Sequence, residues 1–189
     1  MTPVRKYKAI VIGSSAGGLN ALKTLLRNID REFKIPVIIV QHISPDSENY
    51  LIHILNDLKR LKVKEADEKE YPHPGYAYVA PPNYHLLIEP DQSFTLTVDE
   101  RVNYARPSID VLFETAAEAF RDHLIGIILT GANNDGSLGL KRIKELGGMA
   151  IVQDPDTAEV DSMPKAAILA CAVDHVLSLE EIAAFLNNL

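Results

Sequence analysis

Three short stretches hold the residue types that could carry chemistry. Gly13-Ser14-Ser15-Ala16-Gly17-Gly18 places two hydroxyls in a turn of small residues. Gln41-His42 sets an imidazole directly after an apolar run, and Leu129-Thr130-Gly131-Ala132-Asn133-Asn134-Asp135-Gly136 supplies a carboxylate. A serine hydroxyl is a weak nucleophile until an imidazole takes its proton. The imidazole in turn needs a carboxylate to fix its tautomer and stabilise its cation. The order Ser…His…Asp differs from those of the best-known triads, which is no objection, because geometry defines a triad. Residue type alone does not choose between Ser14 and Ser15.

The serine turn has a second reading. A strand, a tight turn and a helix together aim backbone N–H groups and a positive dipole end at whatever occupies the turn. That occupant is either a phosphate or the oxyanion of an acyl-transfer transition state. The standard phosphate loops do not fit. The dinucleotide pattern would need glycine where Ser15 stands, and the Walker loop lysine where Leu19 stands. There are plainer readings as well: a histidine after a strand often only packs or caps, and an aspartate before glycine is a routine turn residue.

The elements around these stretches must bring them together. Residues 9–13 and 36–41 are apolar runs of the kind expected of strands buried on both faces. Helical spacing follows each, over 19–27 and from Ser47 to Lys59. Residues 63–66 read as a short strand. Between 75 and 98 three short runs, 76–80, 85–89 and 94–98, are separated by Pro- and Asn-containing turns and read as antiparallel pairs at the margin of the sheet.

Alternation then resumes. Ser108 caps a helix to about Arg121, with Asp110 and Glu114 in its early turns and Val111, Leu112, Ala116, Ala119 and Phe120 as its inner face. Strands at 124–130, 149–153 and 174–177 alternate with helices at 136–146, from Ser162, and after Ser178. The fold class is therefore α/β: a three-layer, doubly wound, mostly parallel sheet with a small antiparallel excursion at about 75–98. In such a sheet the loops at the carboxyl ends of the strands share one edge, where ligands bind. Ser14/Ser15, His42 and Asp135 all fall on that edge.

Composition narrows the classes of function. The 189 residues suit a single domain, 47% of them are hydrophobic and 24% charged, and the net charge is −7. No dense block of cations is available to displace counterions, which argues against a nucleic-acid partner. A single cysteine excludes an intramolecular disulfide framework and fits a reducing compartment. No stretch approaches the roughly 20 apolar residues of a membrane span. The expectation is a cytoplasmic protein without membrane insertion.

Six motifs occur together in register: the Gly13–Gly18 turn, Gln41-His42, Tyr78-Val79-Ala80-Pro81, Arg106-Pro107-Ser108-Ile109-Asp110, Leu129-Thr130-Gly131 with Asn134-Asp135-Gly136, and Ser162-Met163-Pro164. In this combination the sequence resembles the catalytic domain of the chemotaxis protein-glutamate methylesterase family, CheB, from about Lys8 to Leu189. The resemblance implies a serine hydrolase of glutamyl γ-methyl esters on chemoreceptors, releasing methanol, with a related glutamine deamidase activity and no cofactor. It implies Ser15 as nucleophile, His42 as base and Asp135 as orienting carboxylate. Backbone N–H groups of Ala132 and Ala16 would serve the oxyanion, and Arg106 would form part of the cleft wall.

Departures from the family pattern accompany it. Ser14 stands where the family usually has alanine, Ala16 where it commonly has threonine, Ala132 where it has methionine and Asn133 where it has glycine. None removes a member of the implied triad. The family's familiar enzyme also carries an N-terminal phospho-receiver domain. Here residues 1–189 read as one methylesterase-type domain without a receiver: either a stand-alone member, for which a separate receiver protein would be a regulatory partner beside the methylated receptor, or a fragment of a longer chain.

Other candidates give less. His53, His73, His85, His123 and His175 lack metal-ligand spacing, so no metal site is expected. Asp154, Asp156, Glu159 and Asp161 read as a solvated acidic loop, and Cys171 as an inert core thiol. The competing class of function is a non-catalytic module that docks a receptor or signalling partner in the same cleft.

Overall fold

The computed structural model describes residues 7–42 and 48–189. Strands β1 (Ala9–Ser14), β2 (Val37–Gln41), β3 (Lys62–Glu65), β4 (Tyr76–Val79), β7 (Leu124–Ile128), β8 (Met149–Gln153) and β9 (His175–Leu177) form one sheet in the order β3-β4-β2-β1-β7-β8-β9. Every pairing in it is parallel. Strands β5 (His85–Ile88) and β6 (Phe94–Thr97) make a separate antiparallel pair.

The central strands are apolar throughout because both their faces are covered. All six residues of β1 and all five of β2 and β7 are buried. On one face, α3 (Ile109–Phe120), α4 (Ser137–Glu145) and α5 (Ser162–Ala170) close a core around Phe113, Leu140 and Met163. On the other, α1 (Gly18–Arg27), α2 (Glu48–Asp57) and α6 (Leu179–Asn187) close a core around Leu22, Leu55 and Ile182. The helices that follow β1 and β7 therefore lie on opposite faces. The chain reverses its winding between two adjacent central strands, and a crevice opens at their carboxyl ends.

The antiparallel excursion is smaller than the sequence pattern indicates. The run beginning at Tyr76 is not part of it: β4 lies inside the main sheet, parallel to both β2 and β3. Ala77, Tyr78 and Val79 are all buried, a demand that a marginal strand would not meet. The turns on either side suggested a hairpin, but burial on both faces decided the pairing. Only 85–88 and 94–97 pair antiparallel.

Helix α3 also turns differently from expectation. Leu112, Ala116 and Phe120 face inward as predicted, but Phe113 and Ala117 complete the buried stripe, while Val111 and Ala119 are partly exposed. Ser108 caps it, accepting from Val111 N at 3.5 Å. At the C-terminal helix, Ser178 and Glu181 form a reciprocal capping box. The predicted start of the second helix at Ser47 lies outside the described residues. Among the described residues no helix is long and apolar enough to cross a membrane.

Candidate active site

Strand register sets the site. Ser14 pairs with Gln41 at the ends of β1 and β2, and Gly13 pairs with Ile128 of β7. The ladder runs on past the strands: His42 N donates to Ser14 O at 3.0 Å, and Ser15 N to Thr130 O at 3.0 Å. Ser15, His42 and the loop after β7 are thereby held level at one edge. Ser15, His42 and Asn133 line a common pocket of about 340 Å³, whose opposite wall includes Arg101, Asn103 and Arg106.

Ser14 and Ser15 differ completely in surroundings. Gln41 Nε2 donates to Ser15 O at 2.9 Å and to His42 O at 2.8 Å. Both of those atoms are carbonyl oxygens and can only accept, so the amide nitrogen must face them. Gln41 Oε1 is left for Ser14 Oγ, 2.6 Å away, and the Ser14 proton is committed to it. Ser14 is fully buried, whereas Ser15 borders the pocket. In the sequence Gln41 appears only as the neighbour of His42, with no role of its own. A polar residue ending a wholly apolar strand was the signal that could have found it.

The approach of α1 depends on the glycine at its first position. A Cβ on Gly18 would stand 1.8 Å from Gln41 Oε1 and 2.9 Å from Ser14 Oγ. Only glycine leaves room for the amide that joins the serine loop to the histidine loop.

Asp135 is fully buried and accepts from five donors. Oδ2 takes Ile109 N at 2.7 Å and His42 Nε2 at 2.9 Å, while Oδ1 takes Ser108 Oγ at 2.8 Å, Asp110 N at 3.0 Å and Asn103 Nδ2 at 3.1 Å. The carboxylate thus sits on the N-terminus of α3, where first-turn N–H groups and the helix dipole favour an anion. Gly136 makes the turn possible: its φ is +95°, and a Cβ there would lie 2.5 Å from Ile109 Cγ2. Burial by itself would raise the Asp135 pKa. The bonds from His42, Ile109, Asp110 and Asn103 outweigh it and hold the group below the usual carboxylate value.

A second buried carboxylate lies alongside. Asp110 accepts from Gly139 N at 2.7 Å and from Asn103 Nδ2 at 2.8 Å, so one carboxamide bridges Asp110 and Asp135. Burial, reinforced by the Asp135 charge, pushes the Asp110 pKa up despite those donors. Sequence placed Asp110 in the first turn of a helix, where it would only complement the dipole; the structure gives it a partner on a different loop.

Asn103 and Tyr104 form the tip of a two-residue turn, with φ of +51° and +63°, closed by paired bonds between Val102 and Ala105. Positive φ at both central residues is the geometry such tight turns require. Arg106 lines the pocket, but its Nη1 already donates to Val98 O at 2.8 Å and Asp99 O at 2.9 Å, holding the strap that carries this tip. The backbone N–H groups of Ala16 and Ala132 make no hydrogen bond to any described residue, whereas that of Ser15 is spent on Thr130.

The remaining candidates separate from this site. His85 is buried, accepts Ser108 N–H on Nδ1 at 3.2 Å and donates Nε2–H to Glu100 O at 2.9 Å, which makes it a structural bridge. Asp154 caps a 3-10 turn by accepting from Asp156 N. Among the described residues no group of three or more His, Cys, Asp or Glu side chains is placed to hold a metal ion. Cys171 is half-buried, and burial raises its thiol pKa, away from reactivity.

Fold and site together define a doubly wound α/β protein whose carboxyl edge gathers a serine and a histidine at a pocket and a buried carboxylate against that histidine, the residue set of serine hydrolases. A sequence profile described as CheB methylesterase matches residues 10–186. The chain belongs to the CheB methylesterase family.

Individual relatives agree. A Leptospira interrogans protein, provisionally named a protein-glutamate methylesterase/protein-glutamine glutaminase, is 60% identical over 177 residues, covering 94% of this chain and 92% of that one. The Myxococcus xanthus protein-glutamate methylesterase FrzG is 39% identical over 184 residues, which are 97% of this chain. The chain spans only 55% of FrzG's length. The crystal structure of the Thermotoga maritima CheB methylesterase catalytic domain superposes with a TM-score of 0.92 at 34% identity, covering 97% of this chain and 98% of that one.

Proposed function

We propose that this chain is a cytoplasmic protein-glutamate methylesterase that hydrolyses γ-methyl esters on glutamyl side chains of a methylated chemoreceptor or similar protein. Ser15 Oγ attacks the ester carbonyl while His42 accepts its proton. The negative charge that develops on the carbonyl oxygen meets the free N–H groups of Ala16 and Ala132, donors that need no reorganisation as the reaction proceeds. His42 then delivers the proton to the departing oxygen, methanol leaves, and a glutamyl ester of Ser15 remains. Water, deprotonated by the same histidine, hydrolyses that ester to glutamate and free serine. With a glutamine side chain the leaving group is ammonia, which accounts for a glutaminase activity on the same machinery.

The observation that carries this reading is the placement of Asp135. Its Oδ2 accepts from His42 Nε2, and this contact, in a buried cradle of helix N–H groups, keeps the carboxylate ionised and leaves the other ring nitrogen for the serine. Arg106 braces the cleft wall. Residues 1–189 act as one methylesterase domain.

The test measures methanol release from a methylated receptor preparation, together with labelling of the protein by a fluorophosphonate probe. Both are expected for the wild type and both lost in Ser15→Ala. A folded wild-type protein that binds receptor but neither releases methanol nor takes the label would instead be a docking module.

A further inference from the structure

Asn133 closes a hydrogen-bonded circuit around the histidine. Asp135 N donates to Asn133 Oδ1 at 3.1 Å, which fixes the orientation of the carboxamide. Its amide nitrogen must then face His42, and Asn133 Nδ2 lies 3.4 Å from His42 Nδ1. An N–H pointed at Nδ1 requires a lone pair there, so the ring proton is on Nε2, where it meets Asp135 Oδ2 at 2.9 Å. Asp135 is thus joined to His42 twice, once directly through its carboxylate and once through its backbone and Asn133.

We propose that Asn133 is a positioning residue that reinforces the His42 tautomer fixed by Asp135 and keeps Nδ1 the nitrogen that deprotonates Ser15. The inference deepens the esterase reading and rests on it. Among the described residues no hydrogen bond yet joins Ser15 to His42, and the contact from Asn133 is long. The carboxamide therefore holds the Nδ1 lone pair in place until the serine hydroxyl displaces it. Of the charged and titratable groups around the imidazole, Asp135 meets Nε2, Asp110 is tied to Asp135 through Asn103, and Arg101, Tyr104 and Arg106 line the same pocket. Among the described residues, Asn133 is the side chain hydrogen-bonded at Nδ1.

Two substitutions separate this role from loop support. Asn133→Asp is nearly isosteric and keeps an oxygen to accept Asp135 N–H, but puts an acceptor where the donor was, drawing a proton onto Nδ1. Asn133→Ala loses the loop bond and leaves the tautomer to Asp135 alone. If Asn133 reinforces the tautomer, Asp is the more damaging change, because Asp135 still holds the ring in Ala whereas Asp opposes it: kcat falls on the order of a hundredfold with KM nearly kept, against about threefold for Ala, within the range of general-base effects. Imidazole 15N shifts should show Nε2–H with a bare Nδ1 in the wild type, and a protonated Nδ1 in Asn133→Asp. A loop-support role gives the reverse ranking, Ala below Asp, with ring shifts in Asn133→Asp like those of the wild type, and that result would overturn the proposal. A wild type inactive on methylated receptor would refute the esterase reading while leaving the 15N measurement to decide the tautomer.

Discussion

Asp135 and Ile109 are 26 residues apart, yet Asp135 Oδ2 accepts Ile109 N–H at 2.7 Å. The carboxylate that faces His42 also occupies the N-terminus of α3, so one residue ties the end of β7 to the helix before it. Replacing it tests both jobs. Asp135→Asn keeps the shape but offers a donor where donors already converge. Stability should fall by about 2–4 kcal/mol, and kcat by about 10³–10⁴-fold. Chemical denaturation beside methanol-release kinetics reads the two separately.

The same residue predicts a signed pH dependence. Its folded-state pKa lies below the ordinary value of 3.8. Its contribution to stability is therefore complete above that value and lost as pH falls through the folded-state value. Asp110 has the opposite sign: its pKa is raised, so its contribution is present at acid pH and lost as pH rises above 3.8 through its folded value. In unfolding experiments from pH 7 to pH 2, Asp135→Asn should flatten the loss of stability below about pH 4. A curve parallel to that of the wild type would contradict the assignment.

The two serines should respond differently. Ser15→Ala is expected to lose at least about 10³-fold in rate with little change in stability. Ser14→Ala leaves Gln41 Oε1 without its donor, at a cost of about 1–2 kcal/mol, and retains the fluorophosphonate label. Loss of the label in Ser14→Ala alone would exchange their roles.

Gly18→Ala should act on the site through Gln41. A methyl group 1.8 Å from Oε1 must expel the amide from its buried position, because its three hydrogen bonds leave it no slack. A drop in activity of about tenfold and a loss of about 1–3 kcal/mol are expected. Activity equal to the wild type would mean that the amide link is dispensable.

Asn103→Ala cuts the strap away from both buried carboxylates while leaving the triad atoms in place. The expected result is a rise in KM of about threefold to tenfold and a smaller change in kcat, seen in steady-state kinetics on methylated receptor. Ser178→Ala is the control. It removes a capping box whose two residues do not line the active-site pocket, costs about 1 kcal/mol, and should leave kinetics untouched.

Much of the architecture was written in local sequence. The apolar runs of β1 and β2, the strand–helix alternation after Ser108 and the Ser108 and Ser178 caps are properties of neighbouring residues, because burial on two faces and helix capping are local demands. Topology then sent Ser15, His42 and Asp135 to one sheet edge. The loops that carry them were therefore legible, and so was the family.

What only the tertiary structure decided concerns pairings between distant residues. The strand at Tyr76 joined the main sheet because its side chains are covered on both faces, a fact that its flanking turns do not record. Ser14 and Ser15 look alike in sequence, and only Gln41, 27 residues beyond Ser14, commits one proton and leaves the other residue at the pocket. Asp110 and Asp135 became neighbours through Asn103, with pKa values driven in opposite directions by burial and by donors from three separate segments. Sequence fixes which groups exist and which edge they reach. Hydrogen-bond direction and desolvation depend on what the fold brings alongside, and these determine which hydroxyl, which ring nitrogen and which carboxylate are available for chemistry.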